Sequence, residues 1–282
     1  MTEEFSLSRI ELPERPRYAA AVTEDLLLGS RRLRQAFLQT PIRFAGRDAA
    51  LIRAGDPEPS VVLIRSGFAF RSCELADGRR SILHILTPYD IVGLDHIVLA
   101  RPIEEIIATS RVGYHVLRAS QLRELMADPC IALHILAVSS ETRWRSDRLA
   151  ASIGRLDAQA RICVMLLDFY ERLRRHGLIS RTTYNLPLTQ EQMADHLGLT
   201  LVHVNRTLRR LREERIVLVD RQVVIIMNLD RLRESAQGLP QPAELPEPVM
   251  LAERMLAENA AGGGREIMPI TLASPEKPNR RR

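Results

Sequence analysis

Between Leu188 and Glu214 the chain reads LTQEQMADHLGLTLVHVNRTLRRLREE, and IVLVDRQVVIIMN follows from Ile216 to Asn228. Few folds accommodate this order of signals. Thr189 stands where a helix N-cap is wanted, and Gln192 three residues later completes a capping box. Met193, Ala194 and Leu197 supply the inward positions of that first helix. Gly198 follows, as a tight turn between crossed helices demands a residue that accepts positive φ. Thr200 then caps a second helix, and two β-branched runs around Asp220-Arg221-Gln222 make a hairpin. The expectation is a winged helix-turn-helix.

The second helix divides into two faces. Val204, Leu208 and Leu211 fall at i, i+4 and i+7 and form a buried stripe, while Val202, Asn205, Arg206 and Arg209 share another face. A helix with one apolar stripe and one donor-rich stripe suits the major groove of double-stranded DNA. Arg206 is the candidate for a bidentate contact to guanine, Asn205 for adenine, and Val202 for a thymine methyl. Arg209, Arg210 and Arg212 lie further along and suit phosphates, as does Arg221 at the hairpin tip. Thr189, Thr200 and His203 complete the candidate contacts to backbone or base. A helical pair used for protein contact and a solvated hairpin turn are the plainer alternatives.

The rest of the chain has a different texture. Short apolar runs at 49–52, 61–64, 81–86, 91–92, 106–108 and 112–117 alternate with turn signals such as Gly55-Asp56-Pro57 and Asp77-Gly78, which predicts a β-sandwich or β-roll. A helix is expected over Thr23–Gln39, on Leu26, Leu27, Leu33 and Phe37. Ser120 caps a short helix, and Asp128-Pro129 starts a long one. Along that long helix Leu133, Leu136, Ala137, Ser140, Trp144, Asp147 and Ala151 step by three or four residues, as a seam between two copies would. Packing of this helix on its own β-domain is the alternative. Ala158–Arg175 is a further amphipathic helix, stopped at Gly177, and Leu229–Ala236 is a short last one. The division expected is a flexible arm over 1–22, a β-rich domain over 23–127, a long helix and hinge over 128–156, the helix-turn-helix domain over 157–238, and a mostly disordered tail over 239–282. The tail is rich in Pro, Glu and Gly, and Val249–Asn259 is its one candidate helix.

Composition narrows the function classes. The formal charge of +5 is carried almost wholly by arginine, since Lys277 is the sole lysine. That balance suits a polyanionic partner, although a GC-rich genome produces the same bias. No apolar run is long enough for a membrane span, and the acidic start Thr2-Glu3-Glu4 lacks a signal-peptide h-region, so no membrane association and a cytoplasmic location are expected. Cys73, Cys130 and Cys163 are too scattered for a disulfide framework or a metal knuckle and read as buried thiols, with a redox role for Cys73 as the alternative. The chain has no HExxH, GxSxG or Gly-rich phosphate loop, which argues against an enzyme.

Taken with LIRAGD (51–56), VVLIRSG (61–67), ADGRR (76–80) and LTPYDIVGLD (86–95), the helix-turn-helix and hairpin make the chain resemble the Crp/Fnr superfamily of transcription regulators over about 45–236. The resemblance implies an α+β protein: an N-terminal β-roll sensor domain of the cyclic-nucleotide-binding kind, a long dimerisation helix, a hinge near Gly154–Asp157, and a C-terminal winged helix. It implies a homodimer reading a near-palindrome with the helix Thr200–Glu213, and RNA polymerase as a partner. The family's recognition arginine falls on Arg206, but its usual recognition glutamate falls on Val202, so a different half-site is expected.

The sensor half departs further. Family members that bind cyclic nucleotides have an acidic residue after the glycine equivalent to Gly93 and later an Arg-Ser pair. Here Leu94-Asp95 follows Gly93, and no arginine lies between Pro102 and Ser110, a stretch that carries Glu104 and Glu105. Two carboxylates in place of a phosphate site disfavour a cyclic nucleotide. The absence of cysteine before Cys73 removes the usual iron-sulfur cluster. Haem through His84, His96, His115 or His134 stays an alternative, no cofactor is expected, and an unidentified small-molecule effector stays open. A β-roll ligand-sensing module acting mainly through protein contact is the competing reading of the whole chain.

Overall fold

The computed structural model describes residues 15–99 and 102–236. The expectations for 1–14 and 237–282, including the tail helix, lie outside the described residues. Helix α1 (Arg15–Leu38) starts at Arg15 rather than Thr23, so the second part of the expected loose arm is helical. Leu26, Leu33 and Phe37 are its buried apolar positions, with Thr23 and Ser30 buried beside them.

Eight strands then build two four-stranded antiparallel sheets. One sheet runs β1 (Arg43–Ala45), β8 (Val112–Arg118), β3 (Ser60–Ser66), β6 (Ile91–Val92); the other runs β2 (Ala50–Ile52), β7 (Glu105–Ala108), β4 (Ala69–Glu74), β5 (Arg80–Leu86). Strand β3 explains its unbroken apolar run. Val62 and Ile64 enter the core between the sheets with Leu86, Ile106 and Val112, while Val61 and Leu63 face outward under α1 and the later helices. Successive side chains point to opposite faces, so a strand buried on both reads as a continuous apolar stretch. The β4–β5 turn is a three-residue loop with only Gly78 at positive φ (79°), so of Asp77-Gly78 the glycine alone uses the left-handed region.

Helix α2 (Ala119–Leu125) begins after Arg118, whose N–H donates to Gln121 Oε1 at 3.0 Å, so Ser120 lies inside the helix instead of capping it. Helix α3 (Pro129–Arg155) starts as expected, with Asp128 accepting from the Cys130 N–H at 2.9 Å. At Gly29 helix α1 lies so close to α3 that a β-carbon would collide with the Cys130 carbonyl. Helix α3 continues through Gly154; the break falls at Leu156, in extended conformation (φ −97°, ψ 152°). Asp157 caps α4 (Ala158–Arg175) by accepting from the Ala160 N–H at 2.8 Å.

The last third holds β9 (Thr183–Asn185), α5 (Gln190–Leu197), α6 (Leu201–Glu213), β10 (Val217–Asp220), β11 (Val223–Ile226) and α7 (Leu229–Ser235). Its core, built on α4, is continuous with Phe70, Ile82 and Ile85 of the second β-sheet. On a regular strand Ile82 and Ile85 would face opposite ways. Arg71 pairs with His84 but Ser72 with Ile82, leaving Leu83 as a bulge that turns both isoleucines toward this core. Arg172 of α4, 4% exposed, fixes the same junction. It donates to the Ile85 carbonyl at 2.9 Å and to Thr87 Oγ1 at 3.3 Å, and pairs with Asp90 and Asp168. Arg80 pairs with Asp195 at 3.2 Å and His196 Nδ1 donates to the Ile82 carbonyl at 3.1 Å. Among the described residues, no helix is long and apolar enough to cross a membrane.

Candidate nucleic-acid interface

The reading unit is built from its caps outward. Thr189 Oγ1 accepts from the Gln192 N–H at 3.1 Å, and Gln192 Oε1 accepts from the Thr189 N–H at 2.9 Å. This reciprocal pair satisfies two backbone donors at the start of α5. Met193, Ala194 and Leu197 are buried, and Gly198 turns the chain at φ 62°. Thr200 Oγ1 accepts from the His203 N–H at 3.3 Å and starts α6. Both threonines are exposed and keep a hydroxyl hydrogen free to donate.

Helix α6 is held by Val204, Thr207 and Leu211, all buried, with Leu208 half-buried. Thr207 joins the three aliphatic residues of the inward stripe and is itself buried. The opposite side presents Val202 (71% exposed), His203, Asn205, Arg206, Arg209 and Arg210, all exposed. Among the described residues no hydrogen bond or ion pair engages the Arg206 side chain. Asn205 Nδ2 donates to the Leu201 carbonyl at 3.1 Å, so an adenine contact requires it to exchange that bond. Arg209 pairs with Glu213 at 2.8 Å and Arg210 with Glu214 at 2.7 Å; each pairing raises the arginine's pKa. Exposed pairs of this kind are worth little, so both guanidiniums exchange readily to phosphate.

The wing is a two-residue hairpin. Asp220 pairs with Val223, and Arg221 (φ 46°) with Gln222 (φ 68°) form the turn, both left-handed as a type I′ turn requires. Arg221 is exposed at its tip. Strand β9, not foreseen in the sequence, pairs with β11 and makes the wing a three-stranded sheet.

The proposed seam residues share the outer side of α3. Leu136 is 62% exposed, Ser140, Asp147 and Ala151 are exposed, and Leu133, Ala137 and Trp144 are half-buried, whereas Ile131, His134 and Ile135 face the β-domain. Asp147 pairs with Arg143 at 3.5 Å. One side of the long helix thus packs on its own β-domain, and the other presents the expected seam residues to solvent, with Leu136 the most exposed large apolar side chain among them.

Between the β-roll, α3 and α4 lies a polar cavity of about 250 Å³. Arginines from four elements line it, Arg34 of α1 among them, and the ion pairs there include Arg71 with Glu104 at 3.2 Å, Arg172 with Asp90, and Arg175 and Arg145 both with Glu141. His134 is held down at about 4 by burial and then by Arg34, and His176 at about 3 by burial and then by Arg34, Arg172 and Arg175. All four histidines weighed as haem ligands are buried, and two are tied to carbonyls: His96 to Ser60 at 2.7 Å and His115 to Thr40 at 2.9 Å. Among the described residues no cluster of three His, Cys, Asp or Glu side chains is placed to hold a metal. Of the cysteines only Cys163 is buried, its thiol pushed up to about 12; Cys73 and Cys130 are partly exposed, against the expectation of three buried thiols.

Residues 160–235 match the Crp-like helix-turn-helix domain and residues 42–128 the cyclic nucleotide-binding domain. The chain is 31% identical to the nitrogen fixation regulation protein FixK of Azorhizobium caulinodans over 180 residues, covering 64% of this chain and 71% of that protein. It is 28% identical to the transcriptional activator protein FnrL of Cereibacter sphaeroides over 196 residues, covering 66% and 76%. Its fold matches that of FixK2 from Bradyrhizobium japonicum with a TM-score of 0.65 at 22% identity, covering 71% of this chain and 99% of that one.

Proposed function

The chain belongs to the Crp/Fnr family of transcription regulators, a family of DNA-binding proteins and not of enzymes, and on that premise we propose that it reads a near-palindromic DNA site as a homodimer through α6. The observation that carries this reading is the division of α6: Val204, Thr207 and Leu211 anchor it while Val202, Asn205 and Arg206 project together from the opposite side. Arg206 reads guanine, Val202 meets a thymine methyl and Asn205 an adenine. Thr189, Thr200, His203, Arg209, Arg210 and Arg221 hold the backbone and set the register. Two copies join through the outer stripe of α3, and their recognition helices enter successive major grooves about 34 Å apart. RNA polymerase is the further partner, and the cytoplasm the location, of a regulator working in this way.

Control by a cyclic nucleotide is not part of the proposal. On the wall formed by Arg71 and Asp95, the arginine is already paired with Glu104, so a phosphate placed there would compete with two carboxylates for its donor. The reading requires no effector.

A salt titration of binding to a mixed-sequence duplex tests the proposal. Each phosphate contact adds about −0.9 to the slope of log K against log salt, so the exposed arginines of α6 and the wing give a steep fall. A flat dependence would favour the competing reading, in which the chain acts through protein contact.

A further inference from the structure

Arg161, in the first turn of α4, donates from all three guanidinium nitrogens, to two carbonyls at the end of α3 and one at the end of α5. Nη2 reaches the Ile153 carbonyl in the last turn of α3 at 2.7 Å. Nε reaches the carbonyl of Leu156, at the break between α3 and α4, at 2.9 Å. Nη1 reaches the carbonyl of Leu197, the last residue of α5, at 3.2 Å. Carbonyls at a helix C-terminus lack intrahelical donors and carry the negative end of the helix dipole. One planar cation thus satisfies the ends of two helices at once, and a rigid fork does so at a fixed mutual angle.

Those two helices are the ones whose relation matters for DNA. Helix α3 carries the proposed seam, and α5 leads through Gly198 directly into α6. The contact is close: a β-carbon on Gly198 would lie 3.7 Å from Ile153 Cγ2 and 4.0 Å from Arg161 Nη1. Between α3 and α4 the backbone offers only Leu156 and Asp157 as a link, and Leu156 is extended.

We infer that Arg161 is a positioning residue for DNA reading: it locks the helix-turn-helix to the C-terminal end of the dimer helix and so sets the distance and tilt between the two recognition helices. The inference rests on the two-fold reading proposed above. Helix α6 is about 20 Å long at 1.5 Å per residue, so a swing of about 10° displaces its far end by about 3 Å, close to one base-pair step. Arg80–Asp195 and His196–Ile82 still tie α5 to β5 without the lock, but the end of α3 is then released, and a dimer would tolerate half-sites set one base pair too close or too far apart.

The test uses the full chain and a duplex series in which the spacer between half-sites is the best length, one base pair shorter, or one base pair longer. Affinities are compared as ratios within each preparation, so an unfolded fraction lowers all of them alike and leaves the ratios intact. The wild type is expected to favour its best spacer by about tenfold or more, in the range that a misplaced contact costs. Arg161→Gln, which cannot bridge the three carbonyls, is expected to reduce that preference to about threefold or less, and Arg161→Lys to leave it intermediate. A sharp wild-type preference kept unchanged in Arg161→Gln would overturn the inference and leave Arg161 a structural residue alone. A wild type with no spacer preference would overturn the two-fold reading itself, and the inference with it.

Discussion

Replacing Arg172 by methionine keeps the apolar stem and deletes the guanidinium that joins the two halves of the molecule. The Ile85 carbonyl loses its 2.9 Å donor, and the Asp90 and Asp168 carboxylates, with side chains 18% and 28% exposed, lose their counter-charge. Removing one partner of a buried ion pair costs about 3–5 kcal/mol. The lower end applies, because Asp90 Oδ2 still accepts from the Thr87 N–H at 2.6 Å and from its hydroxyl at 3.2 Å. A loss of about 3 kcal/mol corresponds to about 10 °C in Tm for a chain of this size. Urea unfolding followed by far-UV circular dichroism and by the fluorescence of Trp144, the single tryptophan, reads both the cost and its location. The second β-sheet and the reading domain are expected to unfold in separate steps once the junction is cut. Arg172→Met with Asp90→Asn should recover part of the loss, since the stranded charge is then gone. A cost under about 1 kcal/mol, with one unchanged transition, would refute this account of the junction.

Three further outcomes are expected. Arg206→Ala should weaken the preferred site by about 1–3 kcal/mol and relax selectivity at one base pair of each half-site in a binding assay over single-base variants, whereas an equal loss on every sequence would reduce Arg206 to a phosphate contact. Ala137→Glu places a charge in the α3 stripe and should shift sedimentation toward monomer; an undisturbed dimer would remove Ala137 from the seam. The fold holds His134 and His176 neutral, with folded pKa values of about 4 and about 3 against an ordinary 6.5, so below pH 6.5 the unfolded chain binds more protons. Their contribution is complete above about pH 6.5 and falls away toward about pH 4 for His134 and about pH 3 for His176, by up to about 1.4 kcal/mol per pH unit for each histidine; His134→Gln should flatten the slope of urea stability against pH over 6.5 to 5, and parallel curves would count against a buried neutral His134.

What the sequence made legible is what is encoded locally. Thr189 with Gln192, Gly198, Thr200 and Asp128-Pro129 act within one helical turn of where they stand, and each takes the role its chemistry suggests. Strands with aliphatic runs were also visible. Strand β4 was not, since RSCE is polar, yet it lies in the middle of its sheet and is held by pairing on both sides. Strand β9 is three residues long, and only β11 beside it makes it a strand. The least legible feature was the junction. Arg172 lies three residues after Phe169 on the apolar side of α4, and an arginine there signals a buried partner without naming it. Its partners Ile85, Thr87 and Asp90 come from a separate part of the chain. The break in the chain falls at Leu156, beyond Gly154, which stays helical in an α3 end whose Ile153 carbonyl accepts from Arg161.

Two copies of α6 reading one symmetric site can be tested directly. Purified full-length protein, with no added ligand, would be mixed with a pool of random duplexes, and the bound fraction sequenced. Enrichment of a two-fold symmetric site is expected, with half-sites centred about one helical turn apart, each containing a guanine whose selection disappears in Arg206→Ala. Enrichment of nothing, or of a lone asymmetric half-site, would contradict it.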